Sequence, residues 1–154
     1  MDKPSERLKA LGLTLPPVPK PVAAYVPVVR DGNHLLLSGQ IPMKDGRMMF
    51  TGQAGLDRTL DEASEAARLC ALNAIAVAAD AAGNIDNIDR VLKVVVYVAS
   101  HEGFINQHKV ANGASELLKE VFGEAGRHAR AAVGVAYLPL DATVEVDVTF
   151  RAKP

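Results

Sequence analysis

The side chains best equipped for chemistry fall in two stretches. Arg127-His128-Ala129-Arg130 sits where a predicted helix gives way to a predicted strand, and Glu145 and Asp147 alternate with valines further along. A loop-to-strand junction at a sheet edge opens onto solvent and is a common binding position. A guanidinium placed there can hold a carboxylate through two parallel hydrogen bonds. It stays protonated at all accessible pH, so it positions and does not act as a base. By local composition alone, the plainer reading of these two arginines and the histidine is solvated surface. Glu145 and Asp147, two residues apart on a strand, share one sheet face, which meets water or another subunit. Asp147 there can simply pair with an arginine at a subunit boundary.

The remaining polar candidates each have a plain reading. His101 and His108 stand seven apart without an acid or cysteine at ligand spacing, so they read as exposed loop or helix residues and not as a metal site. His128 reads as a surface histidine, with tuning or pH gating of Arg130 as the sharper alternative. Cys70 is the only cysteine; on an Ala-rich helical face it reads as a small buried core residue. Ser38 and Gly39 read as turn chemistry, although backbone amides there can also line a pocket. Asn112-Gly113 reads first as a helix-start cap.

Positioning these groups falls to a short run of elements. Ser5 to Gly12 predicts one or two helical turns with Ser5 as N-cap, and Pro16, Pro17, Pro19 and Pro21 enforce an extended passage after it. Val26 to Arg30 and His34 to Ser38 flank Asp31-Gly32-Asn33, a hairpin signal. A short strand or irregular segment is expected around Arg47 to Phe50. Thr59 to Glu62 is a capping box opening a helix of about five turns that ends at Gly83. Arg90 to Val98 predicts a buried strand. Phe104 to Gly123 predicts a second helix, whose start is placed near Gly113 as an alternative. Ala131 to Leu138 and Thr143 to Arg151 predict a final hairpin, with Val144, Val146, Val148 and Phe150 on the core face of its second strand. The sum is an α+β layer in which two helices cover one face of a mixed sheet.

The chain has 154 residues, 49% of them apolar and 23% charged, so one domain with one core is expected over residues 1–154. Residues 1–20 form an N-terminal extension of short helix and Pro-rich connector. Seventeen Lys and Arg against 18 Asp and Glu give a net charge of −1, which supplies no field to attract nucleic acid or an anionic membrane. The single cysteine excludes an intrachain disulfide and fits a reducing, cytoplasmic setting. No apolar run has the length of a signal peptide core or a membrane span.

Two separated motifs carry a family resemblance. Ser38-Gly39-Gln40-Ile41-Pro42, and Ala129-Arg130 through Val133, Val135 and Leu138-Pro139 followed by Val144-Glu145-Val146-Asp147, resemble the Rid (reactive intermediate deaminase, YjgF-like) family. Its patterns read SGQ(I/V)P near the start, then PARxxVxVxxLP and VEIE near the end, and the similarity runs from about Pro21 to Arg151. The departures are His128 for the proline before Ala-Arg and Ala132 for a frequent cysteine. The N-terminal extension and a longer loop over His101 to Lys109 are further differences, and together they resemble a longer, less characterised branch.

The resemblance implies a chorismate-mutase-like fold assembled as a homotrimer, with a cleft between each pair of subunits. It puts the substrate-carboxylate arginine on Arg130 and the water-directing glutamate on Glu145. Tyr25, Ser38, Gly39 and Asn112 would complete the cleft, although Tyr25 reads equally well as a half-buried aromatic covering the sheet edge. The implied reaction is hydrolytic deamination of small 2-imino or 2-enamino acids to 2-keto acids and ammonia. That chemistry needs a placed water and charge stabilisation, and no metal or cofactor. A non-catalytic sensor of small carboxylates is the alternative reading. An endoribonuclease, a function attached to some relatives, is argued against by the charge balance and the sparse aromatics.

Overall fold

The computed structural model describes residues 3–154. Helix α1 (Pro4–Ala10) opens the chain; the first two residues of the N-terminal extension lie outside the described residues. The expected cap at Ser5 is not formed, because Lys3 is the N-cap and Ser5 lies inside the first turn. Instead the Ser5 N–H and O–H both donate to the Asp86 carboxylate, at 2.9 and 2.7 Å. No helix or strand forms over residues 11–27, where five prolines remove N–H donors.

Strands β1 (Val28–Asp31) and β2 (His34–Leu37) form the expected hairpin, with Gly32 at φ 60° supplying the left-handed turn conformation. A second, very short hairpin pairs β3 (Met43–Lys44) with β4 (Arg47–Met48). Helix α2 (Leu60–Ala82) has its capping box: Thr59 Oγ1 accepts from the Glu62 N–H while the Glu62 carboxylate accepts from the Thr59 N–H, both at 3.1 Å. At 23 residues it is about a turn longer than its apolar spacing suggests. Strand β5 (Ile88–Ala99) is the longest, helix α3 (Gln107–Phe122) follows, and β6 (Ala129–Val135) and β7 (Val144–Ala152) complete the chain.

The five-stranded sheet has the order β1-β2-β7-β5-β6. This corrects the expected final hairpin. Strand β7 pairs antiparallel with β5 and β2 at the centre, whereas β6 lies parallel to β5 at the edge. The Pro139–Asp141 turn, with Leu140 and Asp141 both at φ 58°, belongs to the segment that carries the chain from edge to centre.

One sheet face carries the core. Val144, Val146, Val148 and Phe150 of β7 and Val94, Val96 and Val98 of β5 are buried under α2 and α3. The other face presents Tyr97, Glu145, Val95, Asp147 and Leu36, with no further layer over it among the described residues. Cys70 is fully buried, and burial pushes its thiol pKa well up. Among the described residues no helix is long and apolar enough to cross a membrane.

The two helices meet closely because the contact is made of small residues. A Cβ on Gly113 would lie 2.0 Å from the Ser64 carbonyl oxygen of α2. Gly113 is therefore an interior helix residue at a close contact, and α3 starts six residues before it, at Gln107. The alternative start near Gly113 is overturned, because tertiary contact outweighs the weak local propensity of Asn-Gly. Gly113→Ala would gain about 1 kcal/mol of helix propensity but must force the helices apart, at about 1–3 kcal/mol or more. The expected net result is a lower midpoint in chemical denaturation with an unchanged slope. A raised midpoint would show that this contact has slack.

Candidate functional site

Arg130 enters on the second residue of β6 and is paired in register with Val94 of β5, so its side chain leaves the sheet on the helical side. There α3 offers three acceptors at i, i+4 and i+7, one helical face. Nη1 donates to Asn112 Oδ1 at 2.8 Å and to Ser115 Oγ at 3.2 Å, and Nη2 donates to the His108 carbonyl at 3.2 Å. Nε–H and one Nη2–H have no acceptor among the described residues. The guanidinium is thus held by one edge and open at the other, in the form that receives a carboxylate through two parallel bonds.

Asn112 is consequently not a helix cap. It sits in the second turn of α3, and its side chain turns across to the arginine.

Behind Arg130 the network continues through Ser115 to His128. His128 Nδ1 lies 2.7 Å from the Gly126 carbonyl, which can only accept, so Nδ1 carries the proton. Nε2 is then an acceptor and takes the Ser115 O–H at 2.9 Å, while a Ser115 lone pair receives Arg130. Every donor in this chain points one way. It requires neutral His128, and the surroundings favour that form. Burial of the ring lowers its pKa most and the Arg130 charge lowers it further, against the raising effect of the Gly126 bond. His128 is half-buried and committed on both nitrogens, not the freely solvated histidine expected from sequence. Ser115 was missed by sequence reading. The signal for it was its place with His108 and Asn112 along one polar face of an amphipathic helix.

Glu145 leaves β7 on the opposite side of the sheet, between the buried Val144 and Val146 and in register with Tyr97. Gly39 stands against it: a Cβ there would fall 2.9 Å from the Glu145 carboxyl carbon. Gly39 has no left-handed φ, so the glycine serves close approach to the carboxylate and not an unusual turn. Ser38 is half-buried beside it; its Oγ donates to the Val26 carbonyl at 2.6 Å and fastens the segment that carries Tyr25 to the end of β2. Tyr25 itself is 66% exposed, which overturns the half-buried reading. Partial burial, then the neighbouring Asp147 charge, raises the Glu145 pKa, and burial raises that of Asp147. Asp147 makes no ion pair within the described chain.

The candidate residues therefore form two groups. Arg130 with Asn112, Ser115 and His128 lies on the helical side, and Glu145 with Gly39 and the Ser38–Tyr25 segment lies on the open side. Within one chain Arg130 and Glu145 do not meet. His101 and His108 are exposed, and no group of three or more His, Cys, Asp or Glu side chains is placed to hold a metal among the described residues.

The family described as "YjgF/chorismate_mutase-like, putative endoribonuclease" matches residues 5–150. The Trypanosoma cruzi protein TCP17 is 48% identical over 141 residues, covering 91% of this chain and 88% of that protein. Among solved structures, Atu1372 of Agrobacterium tumefaciens, described as of unknown function, is 45% identical with a TM-score of 0.90, covering 99% of this chain and 94% of that one. A Shewanella oneidensis structure described as a putative endoribonuclease is 37% identical with a TM-score of 0.93, covering 97% and 99%. More distant is Escherichia coli TdcF with bound serine, at 25% identity and a TM-score of 0.60 over 88% and 94%. Two motifs in order, the layered fold and a match spanning nearly the whole chain lead to one conclusion: this protein belongs to the YjgF-like family, the Rid family that its motifs resemble.

Proposed function

We propose that the protein hydrolyses small 2-imino and 2-enamino acids to 2-keto acids and ammonia, in a cleft formed between copies of the chain arranged as a trimer. The observation that carries this reading is the half-open guanidinium of Arg130, fixed by α3 on one edge and free on the other. The serine bound to TdcF has the same 2-amino-acid frame, with one carboxylate and a nitrogen on the adjacent carbon.

Arg130 would hold the substrate carboxylate, which places the C=N carbon at a fixed offset from the anchor. Glu145 of a second copy would face that carbon. The water oxygen bonds to the imine carbon as its proton passes to Glu145, and the C=N electron pair moves to nitrogen, which is protonated. The resulting carbinolamine loses ammonia as its hydroxyl proton leaves, and the C=O of the keto acid forms. A positioned carboxylate of this kind contributes ~10²–10⁴-fold. Each step is an addition, an elimination or a proton transfer, so the chemistry itself calls for neither a metal nor a redox cofactor.

Two copies are needed because the two groups lie on opposite sides of one sheet. The open face, which also carries Leu36 at 47% and Val29 at 56% exposure, supplies apolar surface for a neighbouring copy. The word endoribonuclease in the family description has less support in this chain. Aromatics are 5% and the net charge is −1, whereas RNA recognition draws on stacking platforms and basic surface.

The two-copy cleft is tested by subunit mixing. Arg130→Ala and Glu145→Gln chains, each inactive on 2-iminobutyrate generated in situ, are unfolded together and refolded at equal ratio. Random assembly leaves about a quarter of the clefts with both groups intact, so about a quarter of the wild-type rate should return. No recovery would refute the shared cleft, and wild-type rates in Arg130→Ala alone would refute the assignment. Calorimetric binding of 2-ketobutyrate without turnover would favour the sensor.

Gly39→Ala should fold normally, since the atoms it meets are the flexible end of Glu145. By displacing that carboxylate it should lower kcat about tenfold or more.

Glu145 acts ionised, so its raised pKa moves the acid limb up from the ordinary glutamate value. Asp147→Asn removes one of the two raising causes and should move that limb to lower pH. A folded pKa above the unfolded one contributes stability below the unfolded value that is lost as pH rises through the folded value. Glu145→Gln should therefore melt higher than wild type at pH about 7, with the difference shrinking toward pH about 4.

A further inference from the structure

Beyond Arg130, between α3 and the start of β6, lies a depression of about 220 Å³ lined by Ser115, Lys119, Gly126, Arg127, His128 and Arg130. Three of these six residues are cations, one is a neutral imidazole, and none is a carboxylate. The nearby acids balance them only in part. Glu120 is committed to Arg68 at 2.9 Å, and Glu124 reaches Arg127 only at 3.6 Å with both side chains largely exposed. A further guanidinium, that of Arg90, reaches the Arg127 carbonyl at 3.4 Å, so the rim gains a fourth positive group. Lys119 makes no ion pair among the described residues.

Arg130 alone suffices for one carboxylate, since its free edge offers two donors and the other edge is occupied by α3. A substrate with a single carboxylate would leave Lys119 without an anion and Arg127 with only the long, exposed contact to Glu124. Such a concentration of one sign of charge around a concave surface raises the local concentration of the opposite sign. The volume fits a group of a few heavy atoms and is small for a whole drug-sized ligand.

We propose that this depression receives a second anionic group of the substrate, a carboxylate, so that the preferred substrates are 2-imino dicarboxylic acids. The proposal rests on the deaminase reading for its reaction but on the depression alone for its charge preference, and the two are separable by measurement. Arg130 takes the carboxylate next to the C=N carbon, and Lys119 and Arg127 take the distal one. Ser115 and His128 form the polar wall between them.

Binding is measured by calorimetry on the full chain with malonate and succinate, with propionate as the single-carboxylate probe and inorganic phosphate as the alternative anion. The expected result is that malonate or succinate binds roughly fivefold or more tightly than propionate, the ratio that exposed ion pairs worth about 1 kcal/mol produce. In the Lys119→Ala/Arg127→Ala double variant, and separately in about 0.5 M salt, that ratio should fall toward one. Equal affinities in the wild type, a ratio that survives in the double variant, or phosphate binding more tightly than both dicarboxylates would overturn the proposal. Turnover of iminosuccinate and 2-iminobutyrate is read in parallel. A dicarboxylate preference in binding with no turnover of either imine would refute deamination and keep the second anion site. Turnover of 2-iminobutyrate with no dicarboxylate preference would do the reverse.

Discussion

The contact on which the site depends most is the close approach of α3 to α2 at Gly113. There the absence of a Cβ lets α3 sit against the Ser64 backbone. That depth fixes how far α3 stands from the first residues of β6, and hence whether Asn112, Ser115 and the His108 carbonyl can all reach one guanidinium. The alanine-rich face of α2 serves the same end. Small side chains give up the area that Leu or Phe would bury, but they allow a thin helical layer whose spacing is set by backbone contact and not by flexible side chains. A long, charged side chain such as arginine loses considerable rotamer freedom when held in one pose. Here three hydrogen bonds from a rigid helix have already imposed that order before any ligand arrives.

The electrostatic division of the sheet follows from strand parity. Arg130 shares the register of Val94 and so falls on the helical side, whereas Glu145 lies between two buried valines and so falls on the open side. A cation and an acid that met within one chain would pair and neutralise each other. On opposite sides of one sheet, neither is committed to the other within its own chain: the arginine keeps one free edge, and the glutamate a raised proton affinity. The neutral His128 belongs to the same economy, because a protonated ring would turn the Ser115 hydroxyl and place a second positive charge behind the arginine.

Much of this was legible in the sequence wherever the determinant is local. The Asp31-Gly32-Asn33 turn, the Thr59–Glu62 capping box and the Val144-to-Phe150 alternation each carry their structure in adjacent residues. Strand order was not legible. Strands β6 and β7 are neighbours in sequence with turn residues between them, and only the pairing of both with β5, set by contacts far along the chain, separates them. Asn112-Gly113 misled for a related reason, since its local preference for a helix start is overridden by a contact with α2 that a single sequence does not display. The motifs identified Arg130 and Glu145 as a pair but not the sides on which they lie, because the side of Arg130 depends on the parallel register with Val94. Ser115 was hinted at only by its place on the face of His108 and Asn112, and its bond to His128 not at all, because its partners His128 and Arg130 lie more than ten residues away.

The short helix α1 gives the first residues of the chain a structural part. Leu8 is buried against the core, and Ser5 grips Asp86 with two donors just ahead of β5. Partial burial would raise the pKa of that aspartate, but the Ser5 bonds together with the Lys3 and Lys153 charges outweigh it and hold it below its usual value, so the grip persists into mild acid. The leading segment thus behaves as a strap across the far end of the two-helix layer, on the side away from Arg130. A chain cut back past Leu8 would expose a greasy notch against the core and leave the Asp86 carboxylate without its two Ser5 donors.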